Sequence, residues 1–348
     1  MKALRYDGPG AKTWTDVPDA RVESPTDAVV RVDAVTICGT DLHILNGDVP
    51  TVDSGRVLGH EAVGTVTDVG SAVSTIKPGD RVLVSCISAC GRCAYCREGS
   101  YGQCLGGGGW ILGHRVDGTQ AEYVRVPFAD TSTHLLPAGL SAESALMLAD
   151  ILPTSYEVGV LNGGVQPGDT VAIVGAGPIG LAAITTAKLF SPGQIIAIDI
   201  AAPRRDAAKR FGADILVDPA GDPVAEVMAL TDGLGADVVI EAVGAPAAFE
   251  LCTRLVRPGG HVANVGVHGE PSTLHLEDLW MRNITITTGL VDTSSTPRLL
   301  RMLATGHLTA DEFVTHRFEL GDIETAYDVF SRPMETGALK IALLRTLD

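Results

Sequence analysis

The sequence predicts an α/β chain in two unlike parts: a loop-rich, β-leaning part, and a doubly wound parallel sheet covered by helices. Three observations carry this. The 348 residues exceed one ordinary domain of roughly 100–200 residues. Up to about Pro153 the chain reads as short strands and loops. Beyond it, Val- and Ile-rich strands alternate with helical stretches, the pattern of a parallel sheet buried on both faces.

In the first part, Ala28–Thr36 is Val-rich and partly alternating, a strand signal. The turn Lys77-Pro78-Gly79-Asp80 launches a second strand over Arg81–Cys86, and Ala121–Val126 alternates as a third. Gly106–Gly109 is a four-glycine run and reads as a loop. In the second part, strands are predicted at Thr170–Gly175, Gln194–Asp199, Asp214–Val217, Asp237–Val243 and Gly260–Val265, with a sixth at Ile284–Thr288. Helices are predicted between them at Ile179–Phe190, Pro203–Phe211, Pro223–Leu230 and Pro246–Val256. The tail from Pro297 adds two amphipathic helices and a last strand, Leu339–Leu344.

Composition narrows the function. Hydrophobic residues make up 45% and charged residues 20%, enough apolar material for packed cores, which excludes disorder. The net charge of −16 repels phosphate backbones and anionic lipid, so neither nucleic acid nor membrane is an expected partner. No long apolar run appears, and the start Met1-Lys2-Ala3-Leu4-Arg5-Tyr6 is too polar for a signal peptide. The expected location is the cytoplasm, where clustered cysteines are metal ligands or catalysts rather than disulfides.

Gly175-x-Gly177-x-x-Gly180 stands at a strand–helix junction, with Pro178 and Ile179 inside it. The first glycine allows the turn, the second admits a pyrophosphate to the backbone, and the third lets helix and strand pack. Asp199 follows Gly180 by 19 residues, at the end of the next strand. This is the context of a Rossmann dinucleotide site, in which such an acid holds the ribose hydroxyls and repels a 2′-phosphate, so NAD is expected over NADP. The neighbouring Arg204 and Arg205 pull the other way, because arginine welcomes a 2′-phosphate.

Cys90-x2-Cys93-x2-Cys96-x7-Cys104 places four thiols in one polar loop. That spacing suits a closed tetrahedral zinc shell; an iron–sulfur cluster or four buried cysteines are the alternatives. A second group, Cys38-Gly39-Thr40-Asp41-x-His43 with Gly59-His60-Glu61, offers a thiolate, imidazoles and a carboxylate, all suited to zinc.

With these motifs in this order, the whole chain resembles the zinc-containing alcohol dehydrogenases of the medium-chain dehydrogenase/reductase family. The resemblance implies a GroES-like catalytic domain, discontinuous over 1–153 and 291–348, around an NAD-binding Rossmann domain over 154–290. It implies two zincs per chain, a structural one on Cys90, Cys93, Cys96 and Cys104 and a catalytic one on Cys38, His60 and Asp150. Asp150, in Leu148-Ala149-Asp150-Ile151-Leu152-Pro153, stands where many relatives place a second cysteine, and some bacterial secondary-alcohol members place an aspartate there. Glu61 is similar to a neighbouring glutamate that reaches the metal. Thr40 resembles the hydroxyl that first takes the alcohol proton, and His43 the distal relay. Thr154, Val243, Val265, Gly266 and Leu290 resemble cofactor contacts, Lys340 a pyrophosphate contact, and Trp110 an aromatic wall of the substrate pocket. Cys86 and Cys252 are left as packed thiols.

The activity implied is hydride exchange between a primary or secondary alcohol and NAD, in a homotetramer or homodimer. Alternatives are a polyol- or formaldehyde dehydrogenase-like member, a catalytically silent zinc-stabilised nucleotide-binding protein, and a zinc-free quinone reductase relative.

Overall fold

The structure is a computed structural model, and it describes residues 1–345. The chain divides into two compact units, Met1–Pro153 with the return from Val291 onward, and Thr154–Leu290.

The first unit is built on a seven-stranded sheet. Its centre is Ala28–Thr36, which pairs antiparallel with Ala62–Val69, Tyr123–Val126 and Lys340–Leu344. Arg81–Val84 and Thr133–Leu135 extend one side. On the other side, Val314–Glu319 runs parallel to Lys340–Leu344. A separate hairpin joins Lys2–Gly8 to Ala11–Asp16. Burial of Val30, Val32, Val35, Ile37, Val82 and Val84 with Leu4, Leu58 and Leu112 forms the core, each large aliphatic contributing about 1.5–3 kcal/mol. The C-terminal helix Ile323–Phe330 packs Ile323, Ala326, Tyr327 and Phe330 into the same core.

The second unit carries a six-stranded parallel sheet in the order Ile215–Val217, Gln194–Ile198, Thr170–Val174, Ala236–Glu241, Val256–Asn264, Thr285–Thr288. The order reverses at Thr170–Val174, and right-handed crossovers then place the helices on opposite faces. Ala172, Ile196, Val239 and Val262 fill the sheet's core with Cys252 and Leu255 of the helix Pro246–Leu255. Pro178, Pro223 and Pro246 each occupy the first turn of a helix, where the missing N–H costs nothing.

The fold class is the expected one. The tail holds a strand, Val314–Glu319, between the helices Thr296–Ala304 and Ile323–Phe330, and the strand expected from Gly260 begins at Val256, where the preceding helix ends.

Candidate active site

The four-cysteine loop closes on itself. The sulfurs of Cys90, Cys93, Cys96 and Cys104 all lie within 4.8 Å of one another, and all are free thiols. Backbone N–H groups point at the sulfurs: Cys90 N and Gly106 N each donate to Cys104 Sγ at 3.3 Å, and Leu105 N donates to Cys93 Sγ at 3.4 Å. The N–H of Cys96 pulls the Cys93 thiol down to about 6, while burial pushes Cys96 up to about 12. The glycine run has a packing reason. A Cβ at Gly106 would lie 2.7 Å from Cys90 Sγ, and one at Gly108 would strike the Ser88 carbonyl. The lobe is tied to the C-terminal return through Gly102 N, which donates to Asp292 Oδ1 at 2.8 Å.

The second cluster is assembled from distant segments. Cys38 caps the N-terminus of the helix Gly39–Asn46, where unpaired N–H groups favour a thiolate. Its own N–H donates to Asp41 Oδ2 at 2.9 Å. His60 and Glu61 follow Gly59, whose φ of 91° is left-handed; that residue is also pressed against Thr119 and Gln120, leaving no room for a Cβ. Asp150 precedes the helix Ile151–Thr154. Ligand atoms of Cys38, His60, Glu61 and Asp150 lie within 4.8 Å of one another. Asp150 Oδ2 is 3.5 Å from Cys38 Sγ and 3.3 Å from His60 Nε2, and Glu61 Oε1 is 3.9 Å from the same nitrogen.

Burial pushes the Cys38 thiol up, and the Asp150 charge adds to this. Burial likewise raises Glu61, against the pull of Lys340. Burial works against protonated His60, but Asp150 and Cys38 outweigh it and raise His60 well above its usual value. A divalent cation among these groups would stabilise their anionic forms and leave the imidazole neutral to ligate. The charges fit such an ion. Lys340 offsets Glu61, and the Cys38 thiolate and Asp150, with Asp41 behind a neutral His60, leave an excess of negative charge that a divalent cation offsets. The orphaned atoms agree: among the described residues, His60 Nδ1 and Asp41 Oδ1 are both buried without a hydrogen-bond partner and lie 3.9 Å apart. At that distance the carboxylate's charge favours the tautomer with the proton on Nδ1, which leaves Nε2 free for a metal.

Lys340, expected at a pyrophosphate, is engaged inside its own unit. Lys340 offers no free cation to a pyrophosphate. Its ammonium is 1% exposed and bonds Glu61 Oε1 at 2.8 Å, Glu61 Oε2 at 3.0 Å and the Ile37 carbonyl at 3.0 Å. Releasing it would leave Glu61 as an unpaired buried charge.

The remaining expected residues fall as follows. Thr40 Oγ1 lies 3.7 Å from Cys38 Sγ, on the same helix as His43, whose Nδ1 is 2.8 Å from Asp48 Oδ2. The Trp110 ring meets His60 edge-on at 6.3 Å and leans on His114 at 4.5 Å. In the second unit, Gly175 turns with φ 97°. A Cβ at Gly180 would collide with the Gly175 carbonyl, whereas one at Gly177 would meet nothing within 4 Å. Gly177 caps the helix Pro178–Ala187, and the Ile179 carbonyl accepts from Ser155 Oγ at 2.8 Å. Asp199 accepts from Ala176 N and Ala201 N, both at 2.8 Å, with Arg204 Nη1 at 3.9 Å; Arg205 binds the Asp199 carbonyl and Asp218 instead. Val243 and Leu290 are exposed, Val265 is buried, and Gly266 is pressed against Gly244. Thr154 ends the short helix after Asp150.

Sequence reasoning missed Asp41 and Glu241. Asp41 carried a signal, an acid three residues after a helix cap. Glu241 is fully buried at a strand end and accepts from Val243 N and Gly244 N at 2.9 Å each; a charge closing an apolar strand was its signal.

Comparison with known proteins agrees with this architecture. Residues 24–138 match the family model described as the alcohol dehydrogenase GroES-like domain, and residues 178–305 match the zinc-binding dehydrogenase family. An alcohol dehydrogenase of Cupriavidus necator is 39% identical, over 99% of this chain and 98% of that protein. The structure of zinc dependent alcohol dehydrogenase 2 from Streptococcus pneumonia, in apo form, superposes with a TM-score of 0.96 at 48% identity, covering 100% of this chain and 99% of the other. Alcohol dehydrogenase TADH from Thermus sp. ATN1 gives 0.92 at 38% identity, covering 99% and 100%. Likeness at this level runs through both units at once, and the chain therefore belongs to the zinc-type alcohol dehydrogenases of the medium-chain dehydrogenase/reductase family.

Proposed function

We propose that this chain catalyses reversible hydride transfer between a primary or secondary alcohol and NAD, with a catalytic zinc on Cys38, His60 and Asp150. The carrying observation is the buried Cys38–His60–Glu61–Asp150 cluster, all within 4.8 Å, whose charge and donor types suit a divalent ion. When bound, zinc supplies Lewis acidity toward the alcohol oxygen and NAD supplies the hydride acceptor.

The chain's own residues do the rest. Thr40, beside Cys38, takes the hydroxyl proton, and His43 passes it on, steadied by Asp48. Trp110 walls the substrate side of His60. Glu61, held by Lys340, stands ready beside the three ligands. The four-thiolate loop holds a second zinc whose closed shell leaves no position for chemistry. The Thr154–Leu290 unit takes the dinucleotide. The open face at Gly177 suits a pyrophosphate at the helix N-terminus, and the Asp199 carboxylate favours NAD by repelling a 2′-phosphate.

Assembly into a homotetramer or homodimer is favoured by the edge strand Thr285–Thr288, which among the described residues has a partner on one side only, and by exposed Leu276, Trp280 and Met281 beside it in sequence. All seven cysteines are free thiols, which suits the reducing cytoplasm. No helix among the described residues is long and apolar enough to cross a membrane.

A screen of primary, secondary, aromatic and polyol alcohols, with NAD and NADP in parallel and zinc analysis on the same sample, tests this reading. Turnover of an alcohol with NAD preferred, and about two zincs per chain, is expected. Inactivity on every alcohol and carbonyl overturns the activity, and NADP turnover equal to NAD overturns the role of Asp199.

A further inference from the structure

Behind His60 lies a buried chain of polar side chains that starts at the Asp41 side chain capping the helix Gly39–Asn46. Asp41 Oδ2 accepts from two donors, Cys38 N at 2.9 Å and Gln120 Nε2 at 2.9 Å. Gln120 spends its second amide proton on the Thr36 carbonyl at 3.3 Å. Its carbonyl Oε1 accepts from the Tyr327 hydroxyl at 2.8 Å. Gln120 is 0% exposed and Tyr327 is 1% exposed, so water cannot substitute for any of these contacts.

Each link restricts the next. Asp41 Oδ2 and the Thr36 carbonyl only accept, so they require the Gln120 amide N–H₂ to face them; the amide oxygen is thereby turned to the Tyr327 hydroxyl, which donates to it and holds it there. With Oδ2 doubly occupied, Asp41 is left with Oδ1, which among the described residues has no hydrogen-bond partner and lies 3.9 Å from the equally unpartnered His60 Nδ1. A carboxylate free to rotate could satisfy itself elsewhere; this one cannot.

We propose that Gln120 and Tyr327 are positioning residues for the metal centre, holding Asp41 so that its free oxygen orients His60 for ligation through Nε2. The chain links the C-terminal helix Ile323–Phe330, the segment before Tyr123–Val126 and the helix Gly39–Asn46, all in one unit. Lys12 Nζ lies 5.1 Å above the Tyr327 ring, so the outer end of the chain is itself clamped. This inference rests on the reading of the cluster as a zinc site.

Tyr327→Phe deletes one oxygen and keeps the ring; Gln120→Met keeps the volume and deletes the amide. Both are read by metal competition against a chromophoric chelator and by the visible bands of the cobalt-substituted protein, in which a mixed Cys/His/Asp site and an all-thiolate site absorb differently. In both variants, binding at the mixed site should weaken about tenfold or more, as removal of outer hydrogen-bond partners does at metal sites, and its cobalt bands should shift. The four-thiolate site should be unchanged. Unaltered affinity and bands in folded Tyr327→Phe overturn the proposal, as does equal weakening at both sites, which would mark a general loss of packing. Absence of metal at the mixed site in the unsubstituted protein would overturn the zinc reading itself, a result distinct from either.

Discussion

The four-thiolate cluster comes from one loop spanning Cys90 to Cys104, whereas the Cys38–His60–Glu61–Asp150 cluster joins segments up to 112 residues apart. In the first, identical ligands are served by their own backbone: N–H groups of Cys90, Leu105 and Gly106 donate to sulfur, and glycines make the room. In the second, unlike ligands are buried, and their charge is managed by Lys340, which reaches Glu61 across 279 residues. A local site needs only the right loop. A site that must stay polar inside a packed core needs the rest of the unit to balance it, and that balance fixes which ligand groups are charged.

Breaking the two clusters separately should sharpen the contrast. The largest effect is expected from His60→Ala. Losing several kcal/mol of transition-state stabilisation corresponds to a fall in kcat/KM of about a thousandfold or more. Zinc content should drop by one site while the thermal midpoint changes little. Retained activity would dissociate the mixed cluster from catalysis.

Lys340→Met should come next. It leaves the Glu61 carboxylate buried and unpaired, and removal of one partner of a buried pair costs about 3–5 kcal/mol, read by denaturant unfolding. Adding Glu61→Gln should recover much of that loss, and strict additivity in the double-mutant cycle would show that the pair is not coupled. Neither change should alter metal binding by the four-thiolate loop.

Gly106→Ala makes the converse cut. A methyl group placed 2.7 Å from Cys90 Sγ should cost about 1–3 kcal/mol and weaken the four-thiolate site, while kcat of the folded protein holds. An undisturbed site would mean the glycine run serves only chain flexibility. The smallest effect is expected from His43→Ala, a several-fold slowing of alcohol oxidation, most marked at low pH where the proton must leave against a proton-rich solvent. A rate unchanged across pH would remove His43 from the proton path.

Much of the fold is legible because its signals are local. Ala28–Thr36 and Pro223–Leu230 have the boundaries that pattern and proline placement predict, and the glycine fingerprint sits at the strand–helix junction where it was placed. Val314–Glu319 was missed because its side chains alternate between half-buried and exposed, and its pairing partner Lys340–Leu344 lies beyond a helix. The surroundings of Lys340 were illegible for a related reason. A lysine in a sequence looks like an available charge, and only the fold shows it buried against Glu61.

By itself, the sequence determined the fold class, the four-thiol loop, the nucleotide fingerprint and the family resemblance, because each is written in spacings of a few residues whose physics is local. Tertiary structure alone decided which groups share the second cluster, that Lys340 neutralises Glu61, and that Tyr327 and Gln120 stand behind Asp41. Those contacts join residues far apart in the chain. In a low-dielectric core, what a charge or an amide does depends on the few groups that packing brings against it.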